Sequence, residues 1–263
     1  MHKQPIGILD SGVGGLTIFR ELTRYLPHEA TVYIGDSVNA PYGKRSQEEI
    51  QYLTKKLIHF LRMQQVKLIV IACNTITVSG ITFLRHTFPD IPIIGTVPVI
   101  KTAAAITKKK KIGLLVTEAT AKSAYNRHLI QQFAADCEVV VIGTNKIVPL
   151  LEAEKHAALS TILTQELFLF REKGVDVVVL GSTHFPILKK QIQEFLGQDV
   201  QILDSAIAIA QQVRRIITNN KMQNSQKHPT HLFYTTGESK PFAQIAQEIL
   251  KKSFPIHHVD LLE

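Results

Sequence analysis

Two short polar motifs each follow an apolar run that is typical of a buried strand. Cys73-Asn74-Thr75 comes after Leu68–Ala72, and Ser182-Thr183-His184 comes after Val177–Gly181. A cysteine at the start of a helix faces the positive end of the helix dipole, so we expect a lowered pKa for the Cys73 thiol, which favours the thiolate. His184 is suited to polarise a group or donate a proton near neutral pH. These residue types therefore suit proton transfer.

Each motif also has a purely structural interpretation. Cys73 could be an inert buried cysteine, Ser182 the N-cap of a following helix, and His184 a histidine held in its first turn. The sequence contains neither a Gly-x-Ser-x-Gly elbow nor an Asp/Glu-His-Ser spacing that would identify a hydrolase triad. Cys137 lacks comparable polar neighbours, and we expect it to be structural.

A third motif, Asp10-Ser11-Gly12-Val13-Gly14-Gly15, follows a strand-like run and opens a helix. Its glycines permit a tight turn whose free amides face an anion, such as a carboxylate or a phosphate. The spacing is neither Gly-x-Gly-x-x-Gly nor that of a P-loop. A plain glycine turn capped by Asp10 or Ser11 explains the motif equally well. No motif indicates pyridoxal phosphate, a nicotinamide or a metal, so we expect no cofactor.

Apolar runs that alternate with segments of helical period must position these motifs, which predicts an α/β fold with a mostly parallel sheet. The predicted strands are Ile6–Leu9, Thr31–Ile34, Lys67–Ala72, Ile91–Ile94, Ile112–Val116, Glu138–Ile142, Asp176–Leu180, Val200–Leu203 and His231–Thr235. The predicted helices are Leu16–Tyr25, Gln47–Gln64, Thr120–Phe133, His156–Glu172, Ser205–Thr218 and Lys240–Lys251. Cys73 and Gly181–Pro186 are each expected to open a further helix.

A weak internal repeat relates the two halves of the chain. Ile6–Leu9 matches Ile112–Leu115 at an offset of 106 residues, and Leu68–Thr75 matches Val177–His184 at an offset of 109 residues. The repeat predicts two pseudo-symmetric domains, 1–97 plus 207–263 and 98–206, each with a strand-to-helix turn at the carboxyl edge of its sheet, where α/β folds bind ligands. The polar stretch Asn219–Pro229 is expected to be an exposed loop, and the strand and helix after it to complete the first sheet.

Composition narrows the class of protein. Two cysteines without a Cys-x-x-Cys pair give no support for a disulfide framework or a zinc site, and the cytoplasm fits best. The sequence shows no signal peptide and no apolar run long enough to span a membrane. The net charge of +8 is scattered except at Lys108–Lys111, which we expect to be a solvated loop, and nucleic-acid binding is not favoured because aromatic residues do not interleave with the charges.

Four motifs in order resemble the glutamate racemase family: Leu9–Gly15, Gly35-Asp36 with Pro41-Tyr42-Gly43, Cys73-Asn74-Thr75, and Ser182–Pro186. The resemblance implies two α/β domains facing each other across a cleft. It also implies cofactor-independent interconversion of L- and D-glutamate, which supplies D-glutamate for peptidoglycan. It implies catalytic roles for Cys73, Ser182, Asp10 and His184. It places the substrate among Asp10, Ser11, Pro41, Tyr42, Gly43, Asn74, Thr75, Glu152, Thr183 and His184.

Ser182 departs from the family pattern, which has a second cysteine there. Racemisation needs two bases on opposite faces of the α-carbon, and a hydroxyl is a weak base without a neighbouring group such as His184. By the resemblance, Cys73 serves the D-isomer and position 182 the L-isomer. Three alternatives stay open: a racemase of aspartate or another acidic amino acid, a one-base enzyme such as a decarboxylase, and a non-catalytic binding protein. No motif fixes the oligomeric state, and a homodimer stays open.

Overall fold

A computed structural model describes residues 4–153 and 155–261 of the chain. The strands are β1 (Ile6–Asp10), β2 (Thr31–Gly35), β3 (Leu68–Ile71), β4 (Ile93–Gly95), β5 (Lys111–Val116), β6 (Glu138–Gly143), β7 (Val177–Gly181), β8 (Gln201–Asp204), β9 (His231–Thr235) and β10 (Ile256–His258). The helices are α1 (Leu16–Tyr25), α2 (Gln47–Met63), α3 (Asn74–Thr87), α4 (Ile100–Ile106), α5 (Glu118–Lys122), α6 (Ala124–Phe133), α7 (Ile147–Glu152), α8 (His156–Lys173), α9 (Lys189–Leu196), α10 (Ala206–Asn219) and α11 (Ser239–Leu250).

The chain divides into two compact units, Met1–Thr96 with Ala206–Glu263, and Val97–Ser205. The first unit contains a sheet of order β10-β9-β2-β1-β3-β4 and the second a sheet of order β6-β5-β7-β8. All of their strand pairs are parallel. The predicted α/β class is therefore confirmed, and β9 completes the first sheet by pairing with β2, as the sequence predicted.

The central strands of both sheets are almost wholly buried, because helices cover both faces of a parallel sheet. Strands β1, β3 and β7 carry no exposed residue. In the first unit, helix α2 begins at a capping box, in which Ser46 accepts from the amide of Glu49 and the Glu49 carboxylate accepts from the amide of Ser46. Its apolar side packs on the core formed by β2 and β3.

The internal repeat is confirmed by strand register. Ile6 of β1 pairs with Leu68 of β3, and Ile112 of β5 pairs with Val177 of β7. These are the residues that the sequence repeat aligns. Each sheet therefore contains the same central pair of strands, each ending in a polar turn at the carboxyl edge.

Several elements differ from the prediction. The helix expected over Thr120–Phe133 is wrong: α5 and α6 are separate, because the backbone of Ser123 is extended and its side chain caps α6 by accepting from the amide of Asn126. Helices α4 and α7 and strand β10 were not predicted, since each is short. Lys108–Lys110 form an exposed bend, as expected, whereas Lys111, which was expected in the same loop, begins β5 and is partly buried. Within residues 4–153 and 155–261 no helix is both long enough and apolar enough to cross a bilayer.

Candidate active site

The first unit brings the Asp10 and Cys73 motifs together. Strands β1 and β3 are neighbours, so Asp10 at the end of β1 and Cys73 just beyond β3 reach the same edge of the sheet. The Cys73 thiol donates to the hydroxyl oxygen of Ser11, with Sγ and Oγ 3.6 Å apart. Asp10, Ser11 and Cys73 are all buried. The predicted position of Cys73, at the N-terminus of a helix, is confirmed, since it is the N-cap residue of α3.

The Asp10 carboxylate holds the glycine-rich loop from within. Its Oδ2 accepts from the amides of Gly12 and Gly15, each at 3.1 Å. Of the two interpretations of this motif, the glycine turn capped by Asp10 is confirmed for these two amides, because the loop's own carboxylate binds them. Gly35 at the end of β2 must lack a side chain, because a Cβ there would lie 2.4 Å from the carbonyl oxygen of Gly12.

The expected lowering of the Cys73 pKa is also wrong. Burial and, second, the negative charge of Asp10 raise the pKa of Cys73 to about 12. Hydrogen bonds from the amides of Ile76 and Thr75 and from the Ser11 hydroxyl favour the thiolate, but they do not offset the loss of water. The helix start acts in the predicted direction and burial outweighs it. With so high a pKa, Cys73 is a protonated thiol near neutral pH and can donate a proton.

Asp36, which follows β2, is a buried residue. It belongs to one of the sequence motifs, but the sequence alone predicted no role for it. Its carboxylate accepts from the Tyr42 hydroxyl at 2.5 Å, from the Thr236 hydroxyl at 2.7 Å and from the Asn39 amide at 3.0 and 3.1 Å. Burial and then the Asp36 charge hold the pKa of Tyr42 well above its usual value. The sequence position of Asp36 could have indicated a role, since Asp36 follows the end of β2 much as Ser11 follows the end of β1.

This network fixes the turn that contains two other predicted substrate contacts. Tyr42 begins a 3-10 turn, Tyr42–Lys44, directly after a cis Ala40–Pro41 peptide bond. Tyr42 is buried, whereas Pro41 and Gly43 are partly exposed. The phenol therefore acts as the anchor of the turn, and Pro41 and Gly43 are its accessible part.

Asn74 and Thr75 form the first turn of α3 and are buried, at 3% exposure each. Among the described residues, the side-chain nitrogen of Asn74 has no hydrogen-bond partner although it is buried. A buried amide donor without an acceptor is costly, and it commonly marks the place of a ligand or a water molecule. Asn74 is thus a donor in place for an acceptor such as a carboxylate, as the predicted substrate contact requires.

The second unit holds the Ser182 motif at the end of β7. Ser182, Thr183 and His184 are buried, and His184 Nε2 lies 2.9 Å from the Glu152 carboxylate at the end of α7. Glu152, a predicted contact, is therefore the partner of His184. The helix expected to open within Gly181–Pro186 begins there as a 3-10 turn, Phe185–Leu188, and α9 follows directly from Lys189. Ser182 does not cap α9.

Each unit thus collects one part of the predicted set at the carboxyl edge of its own sheet. The first unit holds Asp10, Ser11, Cys73, Asn74 and Thr75, together with the turn of Pro41, Tyr42 and Gly43. The second holds Glu152, Ser182, Thr183 and His184. Both cysteines are free thiols. Across the described part of the chain, no cluster of three or more histidine, cysteine or acidic residues could ligate a metal ion.

Comparisons of sequence and of structure with known proteins point to the same family. A family model described as Asp/Glu/hydantoin racemase matches residues 6–213. A glutamate racemase of Streptococcus gordonii is 39% identical over 265 residues, covering 99% of this chain and all of that protein. A crystal structure of a glutamate racemase isoform from Bacillus anthracis has 33% identity and a TM-score of 0.90, covering 99% of both chains.

A further solved structure, Escherichia coli glutamate racemase in complex with L-glutamate and the activator UDP-MurNAc-Ala, has 29% identity and a TM-score of 0.86. It covers 99% of this chain and all of that one. Full-length similarity of sequence and fold shows that the chain belongs to the Asp/Glu/hydantoin racemase family.

Proposed function

We propose that this chain interconverts L- and D-glutamate without a cofactor. Support comes from relatives of 29–39% identity over almost their whole length, which are named glutamate racemases. We choose glutamate rather than aspartate as the substrate because these relatives are named glutamate racemases. The product D-glutamate would serve peptidoglycan synthesis.

The observation that carries the proposal is the position of Cys73 beside Asp10 and next to the unpartnered amide of Asn74. An amino acid offers groups that complement this site. Its ammonium complements the buried Asp10 carboxylate, and its carboxylate supplies an acceptor for the Asn74 amide. Both contacts hold the α-carbon near the one thiol that the first unit places at the sheet edge.

The chemistry is a pair of proton transfers at the α-carbon. One base removes the α-proton, the electron pair stays on carbon, and an acid on the other face delivers a proton there, so the centre inverts. The proposal assigns Cys73 to abstraction from D-glutamate and Ser182 to abstraction from L-glutamate. A substrate ammonium near Asp10 offsets the charge that raises the pKa of Cys73, and so makes its thiolate more accessible.

Ser182 is the weaker member of this pair. A hydroxyl needs a neighbouring base, for which His184 is the candidate, and His184 is itself held by Glu152 at 2.9 Å. We therefore expect proton abstraction from L-glutamate to be the slower half of the reaction. Replacing Ser182 by cysteine supplies a group whose ordinary pKa of about 8.5 lies near neutrality.

Circular dichroism of each glutamate enantiomer tests the function. Ser182→Cys should raise the rate of change of the L-glutamate signal, whereas Cys73→Ser should reduce turnover by about 10²- to 10⁴-fold, the usual contribution of a positioned acid or base. Cys137→Ser is the matched control, since it removes the other cysteine without touching the site. If the Ser182→Cys variant converts neither enantiomer, glutamate is not the substrate.

We place the enzyme in the cytoplasm, where thiols stay reduced, because the mechanism needs Cys73 free and both cysteines are unpaired. The substrate is a small molecule, and no partner chain enters the proposed chemistry. Whether the enzyme works as a homodimer is decided by its mass in solution.

A further inference from the structure

A pocket of ≈ 580 Å³ lies in the first unit between helix α2 and the segment after β10. Its wall is mainly apolar, formed by Tyr52, Phe60 and Met63 of α2 and by Val259 and Leu261 of that segment. Pockets that bind small molecules commonly measure about 300–1,000 Å³ and have apolar walls with a few polar groups. None of these residues belongs to the candidate active site.

The charged side chains of the wall are two lysines and one carboxylate. Lys55 and Lys56 line the pocket, as does His59, whereas Asp260 is its one carboxylate. Asp260 already lies 3.2 Å from Nε2 of His258. Among the described residues, neither lysine has a carboxylate within 4.0 Å. Within residues 4–153 and 155–261, the two lysines therefore carry positive charge that no carboxylate within 4.0 Å offsets.

The apolar wall is also accessible to solvent. Tyr52 and Met63 are 52% and 60% exposed, which is high for large apolar side chains that lie on one helix. Lys56 Nζ lies 5.1 Å from the centre of the Tyr52 ring, so a cation stands at the rim of an aromatic surface. Grouped exposed apolar residues commonly mark a binding site.

We propose that this pocket binds a small amphipathic anion. The apolar body of the ligand lies against Tyr52, Phe60 and Met63, and its carboxylate, sulfonate or phosphate group is bound by Lys55 and Lys56. Both parts are required, because the wall offers apolar surface and positive charge side by side. A neutral apolar molecule brings no charge for the lysines to bind, and a small inorganic anion leaves the apolar wall exposed.

Fluorescence titration of the folded full-length chain tests the chemistry of the ligand. The probe is 8-anilinonaphthalene-1-sulfonate, and its control is N-phenyl-1-naphthylamine, the same ring system without the sulfonate. We expect one saturable sulfonate site that decanoate competes for, and at least about tenfold weaker binding of the neutral amine, since a charge-assisted contact commonly contributes more than the ~1.4 kcal/mol that corresponds to tenfold. Equal affinity for the two probes would overturn the proposal.

Methionine methyl NMR locates the site independently of any variant. The chain has three methionines, and Met63 lines the pocket whereas Met222 is buried and is not part of its wall. On titration with decanoate, the Met63 methyl signal should shift to saturation and the Met222 signal should stay in place. A shift of Met222 with no shift of Met63 would place the ligand elsewhere and refute the assignment.

Paired charge reversals complete the test. Lys55→Glu with Lys56→Glu should weaken sulfonate binding at least about tenfold. Lys240→Glu with Lys252→Glu changes the net charge by the same amount at exposed positions outside the pocket wall, and should leave the affinity unchanged. Equal loss in both pairs would show that net charge alone attracts the probe, and the pocket assignment would then be wrong.

Discussion

Replacing Asp10 by asparagine tests what keeps Cys73 in its thiol form. The pKa of Cys73 is raised from 9.0 to about 12, first by burial and second by the charge of Asp10. At pH 8, a pKa of about 12 leaves roughly one thiol in ten thousand ionised, whereas the ordinary value leaves roughly one in ten. Asparagine keeps a side-chain oxygen that can accept from the amides of Gly12 and Gly15, but it removes the charge.

The Cys73 pKa should therefore fall in Asp10→Asn while the glycine-rich loop keeps its shape. Removing a like charge from a buried neighbour changes a pKa by on the order of one unit, so the thiolate fraction near pH 8 should rise about tenfold. The assay is the rate of iodoacetamide alkylation of Cys73, followed by peptide mass spectrometry from about pH 7 to about pH 11 in a Cys137→Ser background. Restricted access slows alkylation equally at every pH, so the shape of the profile reports ionisation alone.

Asp136→Asn is the matched control, since it removes one exposed carboxylate beside the other cysteine position in the second unit. Its Cys73 profile should equal that of the unchanged chain. An alkylation rate of the unchanged chain that already levels off below about pH 9 would refute the raised pKa. Coinciding profiles for Asp10→Asn and Asp136→Asn would refute the role of the Asp10 charge.

Three further substitutions test other contacts. Gly35→Ala should lower the free energy of unfolding in urea by about 1–3 kcal/mol, because its Cβ would lie 2.4 Å from a backbone oxygen of the glycine-rich loop. Glu29→Gln should cost about 3–5 kcal/mol in the same assay, because Glu29 and Lys67 form a salt bridge in which both side chains are almost wholly buried and the ammonium would lose its counter-charge. Glu152→Gln should change the pH profile of racemisation and leave the thermal midpoint nearly unchanged, because glutamine can still hydrogen-bond His184 but carries no charge.

Each of these three predictions has an outcome that would contradict it. An unchanged unfolding curve for Gly35→Ala would mean that the loop is not in close contact with the end of β2. If Glu29→Gln with Lys67→Met is no more stable than Glu29→Gln alone, the buried charge is not the source of the loss. A pH profile of Glu152→Gln that matches the unchanged chain would show that the carboxylate charge has no part in proton transfer.

The central strands and their turns were predictable because burial on both faces leaves a continuous apolar run that ends in polar residues. The residues that the sequence repeat aligns take equivalent places in the two sheets: Ile6 pairs with Leu68 in the first, and Ile112 pairs with Val177 in the second. The break between α5 and α6 was not predictable in this way, because the helical period continues through it. Only the extended backbone at Ser123 separates the two helices.

The site was predictable where chemistry follows local sequence, and it was not where tertiary burial decides. The helix start at Cys73 could be read from its neighbours, but the raised pKa depends on how completely the fold removes water from the thiol. The contact of Thr236 with Asp36 joins residues 200 positions apart, which no local motif encodes. Likewise, nothing in the spacing of Glu152 and His184 shows that they form a hydrogen bond.

Exchange of the α-proton of each glutamate enantiomer for deuterium, followed by NMR in deuterated water, tests the central claim most directly. If Cys73 serves D-glutamate and Ser182 serves L-glutamate, the D-isomer should exchange faster, and Ser182→Cys should accelerate exchange of the L-isomer selectively. Cys73→Ser should slow exchange of the D-isomer by about 10²- to 10⁴-fold. Exchange of D-glutamate that persists at the same rate in Cys73→Ser would contradict the assignment of Cys73 as its base.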